Sequence, residues 1–306
     1  MVEGEVLYEV LRGHEHDPGP SALALRLMGA VHRIVLRGDS PELAGQYPSA
    51  GGEPRNPWPA FLDTVRVYAD ALRRLVDDPV QTNEPARCAG LLGGFLEIAR
   101  RGGLPLRLLE VGASAGLNLR FDSYRYELGD ERWGPADSGV VLKSRLSGRP
   151  PLDGSVRVVA RAGCDAQPVD PRSQEGRLTL TAYVWADQVE RLERLRAALT
   201  VAGRVDAPVE RAHAAEWIEE RPAQPAGGAV TVVFHTIVMQ YLTAAERERF
   251  ERALRGAREP LAWLRMEPQG ERLASLRLTL WPAGDELLLA RVGLHGDPVE
   301  WLARAV

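Results

Sequence analysis

Apolar residues recur at helical spacing through the first hundred positions, then give way after Gly103 to short apolar runs separated by helical segments. Between Ser21 and Arg37, the residues Leu23, Leu27, Val31, Ile34 and Val35 share one helical face. Phe61, Val65, Tyr68, Leu72 and Leu75 repeat that spacing and predict a second helix. A third is expected from Asn83, whose side chain suits the first position of a helix, with Pro85 tolerated in the first turn. It would bury Leu91, Leu92, Phe95 and Ile98. The proline- and glycine-rich stretch 48–59 cannot continue a helix and reads as a loop.

The second part of the chain has the alternation of an α/β sheet. Strands are predicted at 106–111, 156–160, 208–212, 230–234 and 261–266, with a C-terminal hairpin formed by 276–281 and 286–292 around Pro282-Ala283-Gly284-Asp285. Asp187 with Glu190, and Thr243 with Glu246, have capping-box spacing before helical segments. The expected organisation is a helical N-terminal cap region, 1–103, and a Rossmann-like α/β domain, 104–306, with an insertion at about 124–151 that holds Tyr126, Trp133 and Lys143. The sheet is expected to have seven mostly parallel strands with helices on both faces. The short connection between the fifth and sixth strands points to an antiparallel C-terminal edge.

Charge and cysteine content narrow the function classes. Thirty-eight basic residues against 42 acidic ones leave a net charge of −4, without the basic footprint of a nucleic-acid binder. Lys143 is the single lysine, and the arginines are scattered as a GC-rich genome would scatter them. Two cysteines, Cys88 and Cys164, make neither a disulfide framework nor a four-cysteine zinc site. The N-terminal Met1-Val2-Glu3-Gly4-Glu5 lacks the layout of a secretory signal, and no apolar run approaches the ~20 residues of a membrane helix. From these features a cytoplasmic chain is expected, with a small-molecule substrate, no membrane or nucleic-acid partner and an open oligomeric state. His14-Glu15-His16-Asp17 has no further ligands at metal spacing and reads as a solvated linker.

The strongest chemical signal is Glu110-Val111-Gly112-Ala113-Ser114-Ala115-Gly116-Leu117-Asn118. An apolar strand ends in a carboxylate and runs through small residues toward a helix, where a ligand can approach the backbone. Glu110, Gly112 and Gly116 resemble the first motif of class I S-adenosylmethionine-dependent methyltransferases, with Ser114 in place of the middle glycine. A dinucleotide fingerprint needs glycines at other offsets.

That resemblance implies further positions. Asp165, closing the next strand, would accept hydrogen bonds from the cofactor's ribose, and His213 takes the place of an acidic residue near the adenine. His235, at the end of the fourth strand, is the candidate general base, and Tyr241 follows it toward a small-molecule acceptor. Asn83, Glu84 and Arg87 cluster at the start of the third helix and are candidate substrate contacts. Asn118 and Asp122 either point to the substrate or tie the insertion down.

The combination of Gln81-Thr82-Asn83-Glu84, the 110–124 segment and Trp185-Ala186-Asp187-Gln188 is similar to the bacterial domain-of-unknown-function 2332 family over nearly the whole chain. No chemistry comes with that resemblance. The residues leave three readings open. The first is methyl transfer from S-adenosylmethionine to a small molecule. The second is a serine hydrolase with Ser114 in a Gly-x-Ser-x-Gly elbow, Asp165 or Asp187 as acid, and His235 or His295 as base. The third is a non-catalytic methyltransferase-like binding module.

Overall fold

The computed structural model describes residues 3–221, 227–256 and 260–303. Met1 and Val2, which open the acidic N-terminal segment, lie outside the described residues. The chain divides by contacts into two compact units, 1–82 with 169–196, and 83–168 with 197–306.

The chain order begins with helices α1 (Glu3–Leu11), α2 (Leu23–Leu36), α3 (Pro41–Ala44), α4 (Pro57–Val67), α5 (Ala69–Val76) and α6 (Arg87–Gly102). Strands β1 (Leu106–Val111), β2 (Arg125–Leu128), β3 (Glu131–Trp133), β4 (Val141–Ser144), β5 (Leu146–Ser147) and β6 (Val158–Asp165) follow. Helices α7 (Gln174–Ala182) and α8 (Val189–Ala202) precede β7 (Val209–Arg211), α9 (Ala214–Glu220), β8 (Val230–Thr236) and α10 (Ala244–Arg255). The chain closes with β9 (Leu261–Gln269), β10 (Leu273–Trp281), β11 (Asp285–Gly293) and β12 (Val299–Trp301).

The first unit is helical. Val31, Ile34 and Val35 of α2 pack with Leu62 and Val65 of α4, Leu72 and Val76 of α5, and Val6 and Val10 of α1. The apolar face expected as one helix from Phe61 to Leu75 is carried by two, because Tyr68 leaves helical geometry at φ −108, ψ 20. A one-residue break barely shifts helical phase, so the periodicity runs through it. In the 14–17 segment, read as a solvated linker, Glu15 and His16 are exposed, whereas His14 is half-buried and paired. Nδ1 meets Asp17 Oδ2 at 3.0 Å and Nε2 lies 3.2 Å from Asp77 Oδ1, with Arg26 paired to the same Asp17.

The second unit is built on a nine-stranded sheet of order β5-β12-β11-β10-β9-β8-β1-β6-β7. From β7 to β9 every neighbouring pair is parallel, and β9, β10, β11 and β12 then form an antiparallel meander. The sheet therefore has two strands more than the seven expected. The additions, β5 and β12, are only two and three residues long and pair with each other in parallel. Strand β8 is buried along its whole length, which accounts for the mostly apolar 230–234 run, as a parallel strand covered on both faces requires.

Alternate residues face opposite layers. Phe234 meets Phe95 of α6, while Val233 joins Phe250 and Leu254 of α10 and Trp217 and Ile218 of α9. Helix α6 lies close because glycines stand where it crosses the sheet. A Cβ on Gly90 would come 2.6 Å from Val292, and one on Gly94 2.5 Å from Leu264. Residues 125–144 form a separate three-stranded sheet of order β3-β2-β4 inside the expected insertion.

Of the two capping boxes that the spacing predicts, one forms. Thr243 and Glu246 make the reciprocal box at α10. The Asp187–Glu190 box does not form: α8 opens at Val189, whose amide reaches the Asp187 carbonyl instead. Among the described residues, no helix is long and apolar enough to cross a membrane.

Candidate functional site

Strand β1 has β6 and β7 on one side and β8 and β9 on the other, so the chain direction of winding reverses between β1 and β8. In open parallel sheets, ligands bind outside the carboxyl ends of the strands at such a reversal. The residues at these ends are the Glu110–Asn118 turn, Asp165 and Thr236–Tyr241.

The turn alternates left-handed residues at Gly112 (φ 66), Ser114 (φ 51) and Gly116 (φ 67). Ser114 thus occupies a conformation that glycine adopts without cost, a form of strain that clusters at functional sites. The turn does not enter an α-helix as expected. It enters a 3₁₀ segment, Asn118–Ser123, and its amides are taken within the chain. Ala113 donates to the Cys164 carbonyl, Ser114 to Asp165 Oδ2 at 2.8 Å, Gly116 to the Ala113 carbonyl, and Leu117 to Asn83 Oδ1 at 2.8 Å. Beneath it, the buried Arg120 guanidinium binds the carbonyls of Ala115, Gly116 and Val205.

Glu110 is 1% exposed. Its Oε1 accepts from Asn118 Nδ2 at 3.3 Å, and its Oε2 has no hydrogen-bond partner among the described residues. Burial pushes this carboxyl up to about 8, against the Asn118 amide and the Arg120 charge, which favour ionisation. Asn118 also accepts from the Cys88 thiol at 3.3 Å. The other acid, Asp165, accepts one backbone amide on each oxygen, from Ser114 and from Gln167.

Asn83 is not the cap of α6, which begins four residues later at Arg87. Glu84 instead turns back to accept the Ala86 amide at 3.0 Å, and Asn83 holds the β1 turn through Leu117. Arg87 reaches the Leu294 carbonyl and Thr236 Oγ1, which brings α6 to the end of β8. Asp122 ties the 3₁₀ segment to β6 through a two-point pair with Arg161 at 2.8 and 3.0 Å.

His235 is fully buried, with both ring nitrogens engaged. Trp263 Nε1 donates to Nε2 at 2.9 Å, so Nδ1 carries the proton and gives it to Glu267 Oε1 at 2.7 Å. The same Glu267 oxygen accepts the amides of Val238 and Met239. Burial would raise the Glu267 carboxyl, but the His235 ring and these amides outweigh it and hold it below its usual range. Together they fix Ile237 at φ 58, a left-handed conformation uncommon for a β-branched side chain. Val238 then lies over the β1 turn, since a Cβ on Gly112 would come 2.5 Å from its Cγ2.

The predicted residues are thus partly gathered. Glu110, Gly112, Ser114, Gly116, Asn118, Asn83 and Asp165 form one connected hydrogen-bonded cluster with the turn. His213 is exposed at the entry to α9, and Tyr241 is exposed on the 3₁₀ turn after β8. His235 bonds to Glu267 and Trp263 and not to Ser114, so the serine–histidine contact of the hydrolase reading is not made through it. Sequence reasoning missed Arg120 and Glu267. Among the described residues, no group of three or more His, Cys, Asp or Glu is placed to hold a metal ion.

A family model described as an uncharacterized protein conserved in bacteria, DUF2332, matches residues 2–301. The chain belongs to this family. No curated protein and no solved structure gives a significant match.

Proposed function

We propose that the β1 turn binds S-adenosylmethionine and that the protein transfers its methyl group to a small molecule. The observation that carries this reading is Glu110, a buried carboxyl with an unpartnered oxygen at the sheet's winding reversal. Phosphate-bearing cofactors require free amides at such a turn, and here the amides of residues 113, 114, 116 and 117 are already used. Two carboxylates at the strand ends suit the opposite chemistry, a cation that also carries hydroxyl groups.

In this reading Glu110 would hold the ligand's ammonium group, and the remaining lone pairs of Asp165 would accept its ribose hydroxyls. The bound cofactor supplies a methyl group activated on a sulfonium. The chain's own part is alignment for in-line displacement. Asn83, Glu84, Asn118 and Tyr241 remain the acceptor-side groups. With its lone pair on the Trp263 indole, His235 serves to hold the Val238 turn rather than to take a proton. The acceptor is then one already nucleophilic at neutral pH.

Calorimetric titration of S-adenosylmethionine and S-adenosylhomocysteine tests this. At pH 6.5 Glu110 starts protonated, so binding an ammonium group should release close to one proton, seen as a heat that varies with the buffer's ionisation enthalpy. Glu110→Gln should remove that release. Absence of binding to both compounds would sink the proposal, whereas binding without turnover across acceptors would leave only a binding module.

A further inference from the structure

The helical unit contains its own arrangement of reactive side chains. His32, on α2, is 3% exposed. Its Nδ1 lies 3.1 Å from the Ala182 carbonyl and its Nε2 2.7 Å from Ser49 Oγ. A carbonyl only accepts, so Nδ1 carries the proton and Nε2 presents its lone pair to the serine hydroxyl, which donates. Burial holds His32 below the usual imidazole range, opposed by the carbonyls of Ala182 and Val184. A nucleophile, a neutral base in contact with it and a third group that orients the base are the parts nucleophilic catalysis needs.

The surroundings of the ring are mostly apolar. Ser49 is half-buried in the 3₁₀ turn Pro48–Ala50, and its amide donates to the Ala186 carbonyl at 2.9 Å, which fixes the residue beside the ring. A small cavity has His32 in its wall and is otherwise lined mainly by Leu25, Met28, Tyr47, Val184 and Trp185. Tyr47 stands edge-on to His32 with ring centroids 5.8 Å apart. Its hydroxyl has no hydrogen-bond partner among the described residues, and burial pushes the phenol up to about 12, so it remains a donor. The loop 48–59 and the Trp185-Ala186 segment, both prominent in the sequence, meet here.

We infer that Ser49 and His32 form a nucleophile–base pair that cleaves esters of small apolar acids, with the Tyr47 hydroxyl as donor to the developing oxyanion. Ser49 Oγ bonds to the ester carbonyl carbon while its proton passes to His32 Nε2. The carbon–oxygen bond to the alcohol then breaks, and His32 returns the proton to the departing alkoxide. Water attacks the acyl-serine, giving its proton to His32. Collapse releases the carboxylic acid, and the proton on His32 restores the serine hydroxyl.

The test treats the full-length protein with an alkyl fluorophosphonate, locates the adduct by peptide mass spectrometry, and follows p-nitrophenyl butyrate hydrolysis in parallel. One adduct on Ser49 is expected, with both signals lost in Ser49→Ala. Tyr47→Phe should slow hydrolysis by about 10-fold or more, as loss of an oxyanion donor does. The labelling rate should stay high below pH 6.5 and fall only at lower pH, following a base of depressed pKa. A Ser49→Cys protein tests the base without removing it. Its new thiol should react with iodoacetamide at pH 6, where an ordinary thiol with a pKa of about 8.5 is nearly inert, and the native Cys88 and Cys164 are buried. No adduct, an adduct on another serine such as Ser114, or a thiol in the Ser49→Cys protein that reacts no faster than free cysteine would each overturn the inference.

Discussion

Replacing Glu110 by Gln removes an ionisable group that the fold holds protonated. The carboxyl is 1% exposed and titrates at about 8 in the folded chain, against an ordinary value of 4.5. Between those two values the native state keeps the proton and the unfolded chain has lost it. Unfolding then releases a proton, so the contribution of Glu110 to stability is full below about pH 4.5 and falls as pH rises toward 8. A difference of one pH unit between folded and unfolded titration is worth about 1.4 kcal/mol, which gives a loss of about 5 kcal/mol across the interval. Gln has the same shape, can still face the Asn118 amide, and cannot ionise. Urea unfolding of both proteins, followed by tryptophan fluorescence at several pH values from about 4.5 to 9, measures the difference directly. The wild-type protein should lose about 5 kcal/mol relative to Glu110→Gln over that range. Two profiles that stay parallel within about 1 kcal/mol would refute the reasoning. They would mean that Glu110 is ionised in the folded chain, with Arg120 and water outweighing burial.

Glu267→Ala strands the His235 Nδ1 proton and the amides of Val238 and Met239, so a stability loss of about 3 kcal/mol or more is expected in denaturant unfolding. A loss below about 1 kcal/mol would show that the turn holds itself. Gly94→Ala places a methyl 2.5 Å from Leu264 and should cost about 1–3 kcal/mol, whereas Gly4→Ala, in open space on α1, should be neutral or slightly stabilising. Equal thermal melting shifts for the two variants would contradict the close approach of α6.

The sequence made the strands of the parallel half legible for a physical reason. Strands β1, β8 and β9 are buried on both faces along most of their length, so each is a predominantly apolar run, interrupted at few positions such as Arg107, Thr231 and Arg265, with few competing readings. The same logic hid β5 and β12, whose two and three residues carry no periodicity. The turn from Glu110 to Asn118 was visible because its parts are neighbours in the chain, whereas Asn83 and Asp165 join it from other elements. Glu267 was not, since its role depends on the pairing that sets His235 against Arg265 and brings β9 alongside the turn after β8. His235 looked free for the same reason: its partners Trp263 and Glu267 come from another strand. Asn83 had the chemistry of a cap, but Glu84 took the local turn and left its amide oxygen for Leu117. Arg120 carried no signal of its own, because the carbonyls it binds at Ala115, Gly116 and Val205 come together only in the fold.

The strand order also sets an order of assembly. The β9-β10-β11 meander joins neighbours in sequence through short turns. It can form early, because closing a short loop costs little chain entropy. Strand β1 can pair with β6 first, Leu106 beside Val158, but its other edge closes only after the chain as far as Val230 has been made and brought back. The Gly112–Gly116 turn, which leans on Asp165 and Val238 from either side, is therefore among the last parts of the second unit to acquire its shape. A chain arrested late in folding would carry a native-like hairpin edge and an unformed ligand turn. A ligand that binds at that turn would then act on the final step of folding, drawing nearly complete chains into the native state.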